Sequence, residues 1–291
     1  MGSPCQIYLY AKDGVEARRV AELVMADARG IEARYSRYRP DSLLSEINRA
    51  AERGENIKVD AETAALLDYA ETCHRESEGR FDITSGLLRV AWDFQSGKLP
   101  SQERIDSLLP RIGWGKLDWR RPLLSFPIPG MQLDFGGIGK EYAADRAATL
   151  CLEQGVVHGL VDFGGDIRAI GPHPSGEAWE IGIQHPRDPE SLLATMNLRQ
   201  GALASSGDYE RCIEIEGRRY GHILDPRSGW PVRGLSAVSV MASQCLIAGS
   251  ACTIAMLMGR DGADWLEELG VPHVWMDEEG GSGGTYGVRF E

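Results

Sequence analysis

The sequence predicts an α+β fold, on three observations. Strand signatures come in close pairs separated by tight turns: Gly164-Gly165-Asp166 lies between runs at 160–163 and 167–170, and Glu216-Gly217 between 211–216 and 219–224. Long helical segments are present as well. The two kinds of element do not alternate in the strict order that a parallel βαβ sheet requires, which leaves mixed helices and antiparallel sheet.

Taken in order, residues 1–11 read as a strand through Gln6-Ile7-Tyr8-Leu9-Tyr10. Residues 14–35 carry Val20, Val24 and Ile31 near helical spacing and form an amphipathic helix. Asp41 is placed to cap a short helix bearing Leu43, Leu44 and Ile47. A further helix spans 61–78, with Leu66, Leu67, Ala70 and Cys73 turned inward, and 100–129 reads mostly as connection. A strand follows at 131–135, then Gly136-Gly137-Ile138-Gly139, then a helix from Lys140 to about Gln154. Residues 179–184 alternate as a strand, 236–241 form another, and 243–258 a helix. The glycine-rich segment 280–287 reads as a flexible loop.

Composition excludes several function classes. The 291 residues carry 31 basic and 43 acidic side chains, a net charge of −12, which argues against a nonspecific nucleic-acid or anionic-membrane surface. No apolar run approaches the roughly 20 residues of a membrane span. Met1-Gly2-Ser3-Pro4-Cys5 has neither the basic flank nor the apolar core of a signal peptide. Six cysteines are scattered without CxxC spacing and read as buried thiols rather than a zinc site or disulfide framework. Glycine is in surplus: 35 residues, about 12%, against a usual share of about 7%. Such a surplus is expected where backbone must come close to something.

Asp134-Phe135-Gly136-Gly137-Ile138-Gly139-Lys140 joins a strand to a helix, where free N–H groups can receive phosphate. It is neither a GxGxxG fingerprint, since Tyr142 stands where the last glycine is needed, nor a P-loop. Tight strand–helix packing and a ligand loop both fit the segment. Ser205-Ser206-Gly207-Asp208-Tyr209 and Gly221-His222-Ile223-Leu224-Asp225-Pro226-Arg227-Ser228-Gly229 are polar clusters that structure alone explains poorly. Strand alternation would put His222 and Leu224 on one face. Ser206, His222 and Asp225 could make a hydrolase triad on paper, but no GxSxG elbow supports it.

In register along the chain, these segments resemble the ApbE-like FAD:protein FMN transferases. The resemblance runs through Met1-Gly2-Ser3, Ser36-Arg37-Tyr38-Arg39-Pro40-Asp41 to Asn48, Gly79-Arg80-Phe81-Asp82-Ile83-Thr84 with Trp92-Asp93-Phe94, and Asp134 to Asp145. It continues through Val161-Asp162-Phe163-Gly164-Gly165-Asp166, Ser205 to Tyr209, Gly221 to Pro231 and the helix with Ala248 to Thr253. The resemblance implies a T-fold-like ApbE architecture over residues 1–291, with two lobes and an FAD cleft between them. It implies an enzyme that uses FAD as substrate and Mg2+ as metal. FMN passes to a Thr or Ser of an acceptor flavoprotein, a subunit of a redox complex, and AMP is released.

By match to the family's motifs, His222 is the base that activates the acceptor hydroxyl. Tyr38 stacks on the flavin; Met1, Arg80, Phe81 and Asp82 line the FAD cleft, although Phe81 could equally be core. Asp134 accepts hydrogen bonds from the ligand, Lys140 lies near its phosphates, Leu224 offers backbone contact, and Asp225 holds the His222 turn. Gly137 through its carbonyl and Thr253 through its hydroxyl hold the metal. The resemblance further implies a periplasmic enzyme, or one anchored on the periplasmic side, if an export signal has been trimmed.

Two positions depart from the family's pattern. The metal helix usually reads Ala-Asp-Ala-x-x-Thr; here Ala248-Gly249-Ser250-Ala251-Cys252-Thr253 has glycine in place of the carboxylate, so Gly249→Asp is expected to strengthen metal binding. Cys245 and Cys252 are soft ligands and poor substitutes. Glu141 stands where Lys-Gly-Tyr is commoner, and the sequence does not set its reach to the metal. The loss of the aspartate keeps two alternatives open: an FAD-binding protein without transferase activity, and an FAD pyrophosphatase giving FMN and AMP.

Overall fold

The paired strands of the sequence assemble into one long antiparallel sheet in the computed structural model, which describes residues 3–209 and 211–286. The first half holds β1 (Cys5–Leu9), α1 (Gly14–Tyr35), α2 (Leu43–Arg53), β2 (Asn56–Lys58), α3 (Ala61–Glu76), a 3-10 helix (Ile83–Val90), α4 (Gln102–Asp106), β3 (Asp118–Arg120) and β4 (Leu123–Ser125). Then come α5 (Gly139–Glu153), β5 (Gly159–Phe163), β6 (Asp166–Gly171), β7 (Trp179–Gln184), β8 (Leu192–Leu198) and β9 (Gly201–Gly207). The chain closes with β10 (Cys212–Ile215), β11 (Arg218–Gly221), β12 (Leu235–Ala242), α6 (Cys245–Met258), α7 (Asp261–Leu269), β13 (His273–Asp277) and β14 (Ser282–Gly284). The class is α+β, as the sequence predicts. No helix among the described residues is long and apolar enough to cross a membrane.

The chain divides into two compact units. The first comprises Met1–Glu32, Gly137–Gly207 and Gly234–Glu291; the second comprises Ala33–Gly136 and Asp208–Arg233.

In the first unit the sheet order is β1-β5-β6-β9-β12-β13-β14. Leu160, Ala169, Leu203, Val274 and Met276 bury one of its faces against Ile183, Leu193, Met196 and Leu198 of the β7–β8 hairpin. Helix α6 packs on β9 and β12, and α5 on β5 and β6. The turn from β5 to β6 is Gly164-Gly165, with Phe163 opposite Asp166. Both glycines have positive φ (65° and 86°), the backbone that a two-residue hairpin loop demands. Strands β8 and β9 are absent from the sequence-based expectation, which saw only the polar Ser205–Tyr209 cluster. The 280–287 segment is also not wholly loop: Ser282–Gly284 pairs with Val274–Met276 as β14. Residue 287 lies outside the described residues.

In the second unit, Ser42 rather than Asp41 caps α2: its side chain accepts the Ser45 N–H at 3.0 Å. The 100–129 segment holds α4 and the β3–β4 pair, so it is more than connection. The 216–217 turn is as expected, joining β10 to β11 with positive φ at Glu216 and Gly217. However, β11 stops at Gly221, so strand alternation does not set the faces of His222 and Leu224. Leu87, Leu88, Trp92, Ile105, Ile112, Ile213 and Leu224 form the core here. Four of the six cysteines are buried thiols, whereas Cys5 is exposed and Cys212 only half-buried.

Residues 131–135 form no strand and join no sheet. Asn48 of α2 takes the place of a neighbouring strand. Its Oδ1 accepts the Leu133 N–H at 2.7 Å and its Nδ2 donates to the Leu133 carbonyl at 3.0 Å. The Asp134 N–H donates to the Ile83 carbonyl at 2.8 Å. Leu133 is buried, so its N–H would otherwise be an orphan. Asn48→Ala should therefore cost about 1–3 kcal/mol, read as a lower urea midpoint with flavin absent. A stability equal to wild type would show that Leu133 finds another partner.

Candidate functional site

Each unit contributes a group of functional side chains. In the first, α5 opens directly from the glycine segment. Its N-cap position, Ile138, makes no side-chain hydrogen bond, so the first N–H groups of this 15-residue helix have no capping side chain. Lys140 in the first turn extends to the β5–β6 turn. Its Nζ lies 2.5 Å from Asp166 Oδ2 and donates to the Gly164 carbonyl at 3.3 Å.

Glu141 points into the protein instead. It is 5% exposed; no N–H or hydroxyl among the described residues donates to Oε2, and its side-chain hydrogen-bond partner is the Asp166 carboxyl. Burial pushes its carboxyl up to about 8, with the Asp166 charge adding to the shift and Lys140 opposing it. Asp166 is raised by burial as well, against the pull of Lys140. The ammonium at 2.5 Å favours the charged form of Asp166, so the proton of this carboxyl pair rests on Glu141.

Glu141 lies against α6 at Gly249. A Cβ built on Gly249 would stand 2.5 Å from Glu141 Cγ and 3.2 Å from both Cδ and Oε1. The expectation that Gly249→Asp improves the site is therefore corrected: a side chain there collides with Glu141. Thr253, one turn further along α6, shares the face of Gly249. Asp145, a turn after Glu141, caps α6: its two oxygens accept the Cys245 and Leu246 N–H groups at 2.8 and 2.9 Å. Among the described residues no group of three or more His, Cys, Asp or Glu side chains is arranged to hold a metal. Any cation site must draw on hydroxyl or carbonyl oxygens too.

In the second unit, His222 follows the end of β11, and the chain then enters a turn built by Asp225. Asp225 Oδ1 accepts the Arg227 N–H at 2.9 Å, Oδ2 accepts from the Ser228 hydroxyl at 3.1 Å, and the Asp225 N–H donates to the Trp230 carbonyl at 2.9 Å. Trp92 donates from Nε1 to the Gly229 carbonyl at 2.8 Å and fixes the turn to the core. Leu224 is buried, and its backbone forms an isolated antiparallel bridge with Pro231. The Asp225 carboxylate is thus engaged in the turn, whereas the paper triad needs it on an imidazole; Ser206 belongs to β9 of the other unit.

The remaining expected ligand residues differ in availability. Tyr38 is 78% exposed, a free aromatic face. Arg80 is half-buried and its Nε, shut off from solvent, finds no acceptor among the described residues. Phe81 is core. Asp82 is buried as the cap of the 3-10 helix: Oδ1 accepts the Thr84 N–H and hydroxyl at 2.8 and 2.6 Å, and Oδ2 accepts the Trp114 N–H at 2.7 Å. Those bonds give Asp82 a scaffold role beside the core position of Phe81. Asp134 accepts from Arg37 Nη1 at 2.8 Å and from the Gly136 N–H at 2.9 Å. Arg37, which also donates to the Gly86 carbonyl at 3.0 Å, holds Asp134 in place, a partner to which sequence reasoning gave no role. Its only sequence signal is adjacency to Tyr38. Met1 lies outside the described residues.

The chain is similar to known proteins along most of its length. The ApbE family model matches residues 1–275. A curated relative, the FAD:protein FMN transferase of Escherichia coli K12, is 29% identical over 290 residues, covering 94% of this chain and 82% of its own. The Vibrio cholerae enzyme of that name (strain O395) is 31% identical over 232 residues, covering 78% of this chain and 69% of its own. Among solved structures, the ApbE protein of Thermotoga maritima superposes with a TM-score of 0.88 at 30% identity, covering 97% of this chain and 94% of that one. The flavin transferase ApbE from Vibrio cholerae gives 0.87 at 27% identity, with 98% and 94% covered.

The raised Glu141 carboxyl carries a pH signature. Between the ordinary 4.5 and about 8 the folded, metal-free protein holds a proton that the unfolded chain releases. Its stability should therefore fall as pH rises through that window. Glu141→Gln, neutral throughout, should flatten the fall when urea unfolding is followed at several pH values with chelator present. Identical pH slopes for the two proteins would count against a protonated Glu141.

Proposed function

This chain belongs to the ApbE family, a transferase family, and we propose that it moves FMN from FAD to a Thr or Ser of an acceptor flavoprotein subunit, releasing AMP and using Mg2+. The observation that carries the proposal is the match of both units over nearly the whole chain, with the His222 turn built and anchored in the core. The hydroxyl of the acceptor is a weak nucleophile until a base takes its proton. His222 is that base. It lies just past a strand end and leads into a turn held by Asp225 and Trp92, which fixes the main chain next to it.

The acceptor oxygen then bonds to the phosphorus of the FMN half while the bond from that phosphorus to the bridging oxygen breaks. AMP leaves with the bridging oxygen. Lys140 and the α5 N-terminus would stabilise the charge of the diphosphate, and Arg80 offers it an unused donor. Tyr38 presents its ring for stacking on the isoalloxazine. Mg2+, when bound, neutralises charge on the departing phosphate.

The donors available fit such an ion: Glu141 has a buried carboxyl that no N–H or hydroxyl donor serves, and the Thr253 hydroxyl and Gly137 carbonyl are hard oxygens of the kind Mg2+ selects. The experiment supplies FAD, Mg2+ and an acceptor domain, and follows AMP together with acid-stable flavin fluorescence on the acceptor. Labelled acceptor supports transfer; AMP with free FMN would indicate a pyrophosphatase, and binding without products a flavin-binding protein. His222→Ala should reduce labelling by at least about 100-fold, the lower range for a positioned base, while FAD binding persists. Retained labelling would remove His222 from that role.

A further inference from the structure

Resting on the Mg2+-dependent transfer proposed above, we infer that Glu141 supplies the metal carboxylate that α6 lacks, reaching over Gly249 to act with the Thr253 hydroxyl and the Gly137 carbonyl. The two departures from the family's pattern are one substitution made in two places. Where the common pattern has glycine on the first helix and aspartate on the second, this chain has Glu141 on α5 and Gly249 on α6.

Space forces the pairing. A Cβ at residue 249 would overlap Glu141 Cγ at 2.5 Å, a separation that real side chains do not sustain. A glutamate at 141 in this rotamer and any side chain at 249 are therefore mutually exclusive. The glycine that costs α6 about 1 kcal/mol of helix propensity against alanine is what admits the glutamate. The carboxylate thereby lies on the face of α6 that Thr253 shares, because residues 249 and 253 are one turn apart.

Electrostatics points to a cation. Glu141 is 5% exposed and lies against Asp166, and two buried carboxyls served by one ammonium need either a proton or a cation to complete them. The nearest ammonium, Lys140, is engaged with Asp166 and the Gly164 carbonyl. Cys245 and Cys252 are buried thiols, and sulfur is a soft ligand, so they bring no hard anionic donor. The rival occupant of this space is a proton shared between Glu141 and Asp166, which would make the pair a structural element only.

Mn2+ binding to the full-length protein, read by electron paramagnetic resonance with and without ADP, separates the two. Glu141→Gln keeps the shape and should weaken Mn2+ by more than about tenfold, the lower end of what loss of an outer-shell partner alone costs. Gly249→Asp alone should bind no better than wild type and be less stable. The double exchange Glu141→Gly with Gly249→Asp should restore Mn2+ affinity by returning the carboxylate to α6. An unchanged Mn2+ affinity in Glu141→Gln overturns the assignment, as does a double variant that folds by circular dichroism but binds no metal. Flavin fluorescence quenching, run in parallel on wild type, keeps the two proposals apart. Absence of FAD binding defeats flavin transfer itself, whereas FAD binding with Mn2+ indifferent to Glu141 defeats only the ligand assignment.

Discussion

The first unit is organised by one carboxylate, that of Asp145. Helix α6 starts after Gln244 without a capping side chain of its own, so its first N–H groups need an acceptor from elsewhere. Asp145 provides it with both oxygens, and Arg168 Nε lies 3.0 Å from one of them. The contact ties the middle of α5 to the beginning of α6. One helical turn back along α5 is Glu141, and one turn forward along α6 is Gly249. The cap therefore sets the register in which these two residues face each other, and the acidic group under the α5 N-terminus depends on it.

The second unit reaches a similar end by a different device. Its functional segments are not strands of a sheet, yet their backbone is satisfied because side chains substitute for neighbouring strands. Asn48 takes both polar groups of Leu133, Asp82 caps the 3-10 helix and holds the Trp114 N–H, and Arg37 clasps Asp134 to the Gly86 carbonyl. Gly86 has to be glycine, since a Cβ there would meet that of Asp134 at 2.5 Å. Buried polar groups linked in this way keep irregular segments ordered. Tyr38 and Arg80 can then remain uncommitted at the surface and at the buried edge.

Much of the architecture was legible because its signals are local. Val20, Val24 and Ile31 mark the buried side of α1, and Glu216-Gly217 marks a hairpin. The β8 and β9 strands were hidden because their small residues, such as Ala194, Ala202, Ala204 and Ser205, carry no strong strand propensity. β8 is a strand because it pairs along β7, and β9 because it pairs with β6 and β12 beneath α6. Residues 131–135 erred in the other direction: an apolar run of strand composition whose partner turned out to be a side chain. Phe81 and Asp82 sit inside a family motif, but what they contact is core and cap.

Order along the chain and residue type were enough to determine the α+β class and the family. They also exposed the missing carboxylate at position 249. Only tertiary structure decided what the glycine there means. Residues 141 and 249 are more than a hundred positions apart in a chain of 291, and no periodicity or spacing relates them. Packing of α5 on α6 brings Glu141 into the volume that a side chain at 249 would need, because two atoms cannot share that space. A deficit when read along the chain is, in three dimensions, the room that one buried carboxylate requires.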